Sequence, residues 1–373
     1  MELGLFMMPL HQPARNYAQV LDEDRRMIVL ADRLGYAEAW CGEHYSATAE
    51  PVASPLMLFA ACLQDAPDIR FGTAVFNLPQ MHPALVASNA AQFDQMSGGR
   101  LIMGIGPGGL VSDFELLGVT DPDIRKAMML ESIDTIHALW TGEPPYRIDG
   151  EYWPVRLEKA VYPEVGVGVM PKPLQQPYPP VCLSIVTPRS SSAKLAAARG
   201  WGPISASFIQ QRYLRSHWEA YAEGCAEAGI AADPANWRVA RSILICDSAA
   251  EAEDLLGDPD GALAFYFTYF AENYKRRGIF QLLSPDPDRP EEAFDARDIA
   301  RSMVIHGTAD RVLEQLVALR EELGPFGTLL AVGHEWDNEP AWRRSMTLLA
   351  EEVAPRLRRH ERAKDLERQG EPA

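Results

Sequence analysis

Eight times along this 373-residue chain, a short run of strand-forming residues gives way to a stretch with helical periodicity. Few folds accept that rhythm. A helix between two strands returns the chain to the end of the sheet it started from, so neighbouring strands run parallel. Eight is the number of parallel strands that closes a barrel. The strands read as LGLFMM, AEAWCGEH, IRFGTAVFNLP, RLIMGIGPGG, PPVCLSIV, GPISASFI, WRVARSILICD and GTLLAVGHEW. After the first, LDEDRRMIVLADRLGY carries Met27, Leu30, Ala31 and Leu34 at helical spacing and is closed by Gly35. The expected fold is an α/β (β/α)8 TIM barrel. It forms one domain over residues 1–355, followed by a charged C-terminal tail at 356–373.

Two segments interrupt the alternation. YRIDGEYWPVRLEKAVYPEV places an Asp149-Gly150 turn between aromatic and β-branched residues, predicting a small β excursion before the fifth strand. Between strands seven and eight lies an insertion, at about 252–306, that is far longer than a crossover needs. It joins an aromatic cluster, FYFTYF, to a Pro/Asp-rich run, the composition of a lid.

Charge excludes one class of partner. A formal net charge of −17 leaves no clustered Lys and Arg to meet nucleic-acid phosphates, and the one basic run, RLRRHERAK, reads as a solvated helix end. With 47% hydrophobic residues the chain can bury a large core, yet it lacks the apolar stretch of a membrane span. Its first residues, MELGLFMMP, lack the basic leader and small-residue cleavage site of a signal peptide. The five cysteines, Cys41, Cys62, Cys182, Cys225 and Cys246, are odd in number and scattered. This pattern fits a reduced cytoplasmic protein without a structural zinc, and no metal site is expected.

In such a barrel the site lies at the carboxyl ends of the strands, so residues there deserve chemical scrutiny. The second strand ends in Glu43-His44-Tyr45. His44 can donate or accept a proton near neutral pH, and Glu43 can orient it, bind another group or face the wall. A histidine that merely caps the strand would fit the same pattern. Asn77 is a polar group among apolar neighbours at the end of strand three, before Pro79. Gly106, Gly108 and Gly109, after strand four, leave room for a flat ligand against the backbone. After strand five, Arg189 and the serines Ser190, Ser191 and Ser192 precede an alanine-rich helix, offering hydroxyls and free N–H groups to a phosphate or forming an ordinary N-cap. Pocket walls would come from Phe6, Met7, Met8, Phe76, Phe208 and Trp336, any of which suits the core equally.

The stretches LGLFMMPLHQP, GYAEAWCGEHY, FGTAVFNLPQMHPALVASNAAQFDQMSGGRLIMGIGPGG and HGTADRVLEQL together resemble the luciferase-like flavin-dependent monooxygenases of the bacterial luciferase superfamily. GIGPGGLVSDFELLG is most similar to the limonene monooxygenase-like branch. The resemblance implies a two-component enzyme. It binds reduced FMN supplied by a separate NAD(P)H-dependent flavin reductase, reacts it with dioxygen, and uses the flavin hydroperoxide to oxygenate a small hydrophobic molecule such as a terpenoid, ketone or aldehyde. His44 matches the family's catalytic histidine, and Glu43 belongs to the same strand-end motif. Ala74-Val75 matches a peptide that is cis in luciferase and lies against the isoalloxazine ring. Ser190, Ser191 and Ser192 fall in the phosphate-binding segment. Gly106 and Pro107 stand where luciferase has a reactive cysteine and a phosphate-binding arginine. That departure argues against light emission and moves the phosphate onto Arg189 and the serines. Tyr45 replaces a second histidine and so bears on substrate contacts. Luciferase pairs through the helices after strands two and three, here PLMLFAACL and PALVASNAAQF, which implies a homodimer or a heterodimer with a homologous chain.

Epoxidation, hydroxylation and Baeyer-Villiger oxidation all fit these residues. So do three other functions: a deazaflavin-dependent oxidoreductase of the same fold, a non-catalytic flavin-binding protein, and a subunit that only supports a partner barrel. His44 argues against the last.

Overall fold

The computed structural model describes residues 1–369. Its strands are β1 (Glu2–Met7), β2 (Glu38–Cys41), β3 (Arg70–Thr73), β4 (Phe76–Asn77), β5 (Leu101–Gly106), β6 (Tyr146–Ile148), β7 (Val155–Leu157), β8 (Val181–Ile185), β9 (Gly202–Ser205), β10 (Arg238–Arg241), β11 (Ile243–Ile245), β12 (Ile305–Gly307) and β13 (Thr328–Gly333). Eight of these pair in parallel in the order β1-β2-β3-β5-β8-β9-β10-β13, and β13 returns to β1. The result is the closed (β/α)8 barrel read from the alternation, with every strand where it was expected. The short β4 continues β3 beyond a two-residue break and pairs with the end of β5.

Local signals set the helix ends. Asn16 caps Tyr17–Arg33 by accepting from Gln19 N–H, and Gly35, at φ 76°, ends that turn. Thr308 caps Ala309–Leu323 in the same way. The excursion before the fifth barrel strand is the antiparallel β6–β7 hairpin. Glu131 anchors it by accepting the N–H groups of Glu151, Tyr152 and Trp153.

The amino-terminal floor of the barrel is charged. Arg238 donates to both oxygens of Glu38, Nε to Oε2 at 2.7 Å and Nη2 to Oε1 at 2.6 Å, and lies over the Trp40 ring. Trp40 Nε1–H also donates to Glu38. This two-point pairing satisfies a carboxylate that burial would otherwise penalise, and it holds Glu38 below its usual pKa despite that burial.

The long insertion folds into helices Ala249–Gly257, Ala262–Arg276 and Ala296–Met303, and β12 pairs in parallel with β11. Helix Ala262–Arg276 reaches loops at the carboxyl ends of several strands. Tyr269 bonds Glu50 after β2, Phe270 stacks on Phe208 after β9, and its N-terminal Ala262 N–H donates to Asp337 after β13. The last described element is helix Ala354–Gln369. Within it Leu357 is buried, and Glu361 pairs with Arg320 and the N-terminal amine. Residues 370–373 of the expected charged tail lie outside the described residues. No described helix is long and apolar enough to cross a membrane, and all five cysteines are free and buried.

Candidate active site

Glu43, His44 and Tyr45 follow β2 after Gly42, the last ladder residue being Cys41. His44 is nearly enclosed, with 13% of its side chain exposed. Its Nδ1 lies 2.9 Å from Asp113 Oδ2 and its Nε2 3.3 Å from Glu50 Oε2. Asp113 sits in helix Val111–Leu116, which follows the glycine turn after β5. Its other oxygen accepts from Tyr45 N–H at 3.1 Å, Ser46 N–H at 2.9 Å and the Ser46 hydroxyl at 2.5 Å. Burial by itself would lower the imidazole pKa, but the Glu50 and Asp113 carboxylates overcome it and raise the value to about 10. Asp113 is likewise buried, yet its bonds from His44 and Ser46 hold it below the usual carboxylate range.

Glu43 engages the next strand instead of the ring. Its Oε1 accepts from Asn77 N–H at 2.8 Å and from the Tyr45 hydroxyl at 3.1 Å, while Asn77 Nδ2–H donates to Glu43 O at 3.0 Å. Burial pushes its carboxyl up to about 7 against those bonds. Asn77 thus ties the end of β2 to β4 through its N–H and Nδ2.

Ala74-Val75, between β3 and β4, is a cis peptide. Opposite it, a Cβ on Gly106 would lie 2.6 Å from Val75 Cγ2, so only glycine lets the end of β5 approach this segment. Gly108 turns at φ +89° against Phe114, Gln80 and Asn77. The Gln80 carboxamide there is buried and has no partner for either its oxygen or its nitrogen. After β8, Arg189 adopts φ 48° and donates its N–H to Ser216 Oγ at 3.1 Å. Ser190 caps helix Ser191–Ala198 through Ser192 N–H. Ser190 is buried, Ser192 half-buried, and Arg189 and Ser191 are exposed.

The remaining wall candidates separate. Met8 and Phe76 are buried beside these loops, with Met8 Sδ close to Gly42 and Phe76 paired to Ile105. Phe208 stacks on Phe270 with ring centroids 4.7 Å apart. Trp336 lies elsewhere, between Arg26 and Arg343 at 5.3 and 5.4 Å, with its N–H on Glu23. No described contact joins Trp336 to His44. Sequence reading missed Asp113, Glu50, Tyr269 and Gln80. Asp113 lies inside a stretch already noted, GIGPGGLVSDFELLG, and Glu50 lies six residues after His44, so a search for acids near the strand ends would have found them. Tyr269 belongs to the aromatic cluster FYFTYF, but nothing local marked its bond to Glu50.

Residues 1–325 match the family described as luciferase-like monooxygenase. The 4-hydroxyprotoasukamycin monooxygenase of Streptomyces nodosus subsp. asukaensis is 33% identical over 366 residues, covering 95% of this chain and 91% of that protein. Limonene 1,2-monooxygenase of Rhodococcus erythropolis is 30% identical over 359 residues, covering 95% and 86%. A solved structure, the oxygenating constituent of 3,6-diketocamphane monooxygenase from the CAM plasmid of Pseudomonas putida, is a type II Baeyer-Villiger monooxygenase in complex with FMN. It superposes with a TM-score of 0.86 at 27% identity, covering 95% of this chain and 98% of that one. With the family model matching residues 1–325 and a named monooxygenase 33% identical across 95% of the chain, the chain belongs to the luciferase-like monooxygenases.

Proposed function

We propose that this protein is a flavin-dependent monooxygenase that binds reduced FMN in the barrel mouth and transfers one atom of dioxygen to a small hydrophobic molecule. The carrying observation is the convergence of the paired His44, the Ala74-Val75 segment and the Gly106 turn on one end of a barrel that superposes on an FMN complex.

The residues present fit the cofactor. A Cβ at Gly106 would fill the approach to Val75, and the unpaired Gln80 carboxamide offers one donor and one acceptor to a polar ligand edge. Ala74, Val75, Asn77 and Gly106 would line the ring. Arg189, Ser190, Ser191 and Ser192 would hold the phosphate at the start of a helix, where free N–H groups and the helix dipole favour an anion. Reduced FMN, when bound, supplies the two electrons that activate dioxygen.

The protein's part is to position, charge and dry the site. His44 stands as a cation between two carboxylates at neutral pH. Glu43 fixes β2 against β4, and Tyr45, Met8, Phe76 and Phe208 supply the substrate walls. Helix Ala262–Arg276 acts as the lid, excluding water that would divert oxygen to hydrogen peroxide. We extend the reading to a cytoplasmic protein fed by a separate flavin reductase. It pairs with an identical or homologous chain through helices Pro55–Cys62 and Pro83–Met96, where Met57 and Leu85 are exposed.

The test supplies chemically reduced FMN anaerobically, admits ¹⁸O₂ and offers a panel of terpenes and cyclic ketones. One ¹⁸O per product establishes the monooxygenase. Substrate oxidation without oxygen uptake, supported by a deazaflavin, rejects it. His44→Ala is expected to keep the fold and FMN binding while lowering product per reduced FMN by about 100-fold; product at the wild-type level would remove His44 from the reaction.

A further inference from the structure

We propose that Glu50 is a positioning residue for His44: held by Tyr269 of the insertion helix, it occupies the ring nitrogen that Asp113 leaves free and keeps the imidazole a cation. The proposal rests on the reading that His44 serves the reacting centre.

The geometry is specific. Glu50 lies in the loop after β2 and is 2% exposed. That loop is pinned where His11 N–H donates to Ala49 O at 2.8 Å. One carboxylate oxygen, Oε1, accepts the Tyr269 hydroxyl at 2.5 Å. The other, Oε2, has no other described partner and lies 3.3 Å from His44 Nε2. A buried carboxylate oxygen without a donor is costly unless a charge lies beside it, and the imidazolium is the cation the described contacts provide.

Among the described residues, the titratable groups that the contacts place around His44 are acidic or phenolic. Asp113 approaches from helix Val111–Leu116 and Glu50 from the loop after β2. Glu43 interacts with it electrostatically from the adjacent position, and Tyr45 and Tyr269 bond Glu43 and Glu50 respectively. Among the described residues, the charged groups with the largest effect on its titration are Glu50 and Asp113.

The two partners are not equivalent. Asp113 is clamped by three donors from Tyr45 and Ser46 besides the ring, whereas Glu50 is held by one phenol and contacts the ring at longer range. Nε2 is therefore the nitrogen at which a ligand can compete, and Glu50 the partner that yields. While Glu50 faces Nε2, His44 holds positive charge and an N–H, and its lone pair is available only above about pH 10; displacing Glu50 lowers that limit.

The experiment follows the ring ¹⁵N shifts of His44 from pH 5 to 11 in histidine-labelled full-length protein without flavin, with His44→Ala providing the assignment. In the wild type the ring stays protonated beyond pH 9. Glu50→Gln lowers its pKa by about 1–3 units, the range expected for losing one carboxylate at this distance. Tyr269→Phe lowers it less, because the Glu50 carboxylate remains and loses only the phenol that holds it against the ring. An unchanged His44 pKa in Glu50→Gln overturns the proposal. If that variant does not fold, an unchanged pKa in Tyr269→Phe overturns it instead. Product yield against pH, measured with reduced FMN, separates the two readings. An alkaline limb that moves down with the ring supports both. A limb that stays while the ring pKa falls leaves the Glu50–His44 coupling standing and removes His44's charge from the reaction.

Discussion

At the residue scale, the site is a small set of charges whose protonation is set by burial and partners. Glu43 and His44 are adjacent yet tuned oppositely for stability. The folded His44 pKa lies above its unfolded value, so its pairing stabilises fully below about 6.5 and is lost as pH rises through about 10. Glu43 is also raised, to about 7, but by burial, so the fold disfavours its charge and loses stability as pH climbs from about 4.5 to 7. We therefore expect Glu43→Gln, which keeps an acceptor for Asn77 and Tyr45, to stabilise the protein at pH 8 by on the order of 2 kcal/mol, with little effect at pH 4.5. Thermal melts at both pH values check this, and equal effects at the two would refute it. Arg189→Ala is expected to weaken FMN by about tenfold and riboflavin hardly at all, since a guanidinium–phosphate contact contributes only where the phosphate is present. Isothermal titration of the two flavins decides, and parallel losses would move the phosphate elsewhere.

At the element scale, the insertion between β10 and β13 carries one helix whose aromatic face meets the mouth. Phe270 stacks on Phe208 and contacts Tyr266, Tyr269 and Tyr274. Phe270→Ala should cost about 3–5 kcal/mol of local packing. If the helix is the lid, that variant releases more hydrogen peroxide per reduced FMN. A lower melting temperature with unchanged peroxide would make the helix structural only. The composition of this segment, aromatic then Pro/Asp-rich, was readable in sequence, but its docking was not. Tyr269 and Glu50 are 219 positions apart, and no local pattern encodes their meeting.

At the scale of the whole molecule, one end of the barrel is closed by charge and the other is open to chemistry. At the floor, Glu38→Ala would leave Arg238 buried without its partner at a cost of about 3–5 kcal/mol. Urea unfolding at pH 7 measures it. Because the Glu38 pKa is depressed, the difference from wild type should be present above about 4.5 and shrink as pH falls through its folded value. An undiminished difference in acid would mean that packing around Trp40, not the ion pair, holds the floor.

The amino-acid order by itself determined the barrel, its eight strands, the hairpin before the fifth and the strand-end position of His44. These follow from periodicity and turn residues, which act over a few positions and so are written locally. Only the tertiary structure decided the state of that histidine. Asp113 lies 69 positions away and Glu50 receives its hydroxyl from a helix far down the chain. Long separation likewise hides one neighbour of Trp336, Arg26, which precedes it by most of the chain. A charge's pKa depends on what surrounds it in three dimensions, and closing the barrel is what brings those surroundings together.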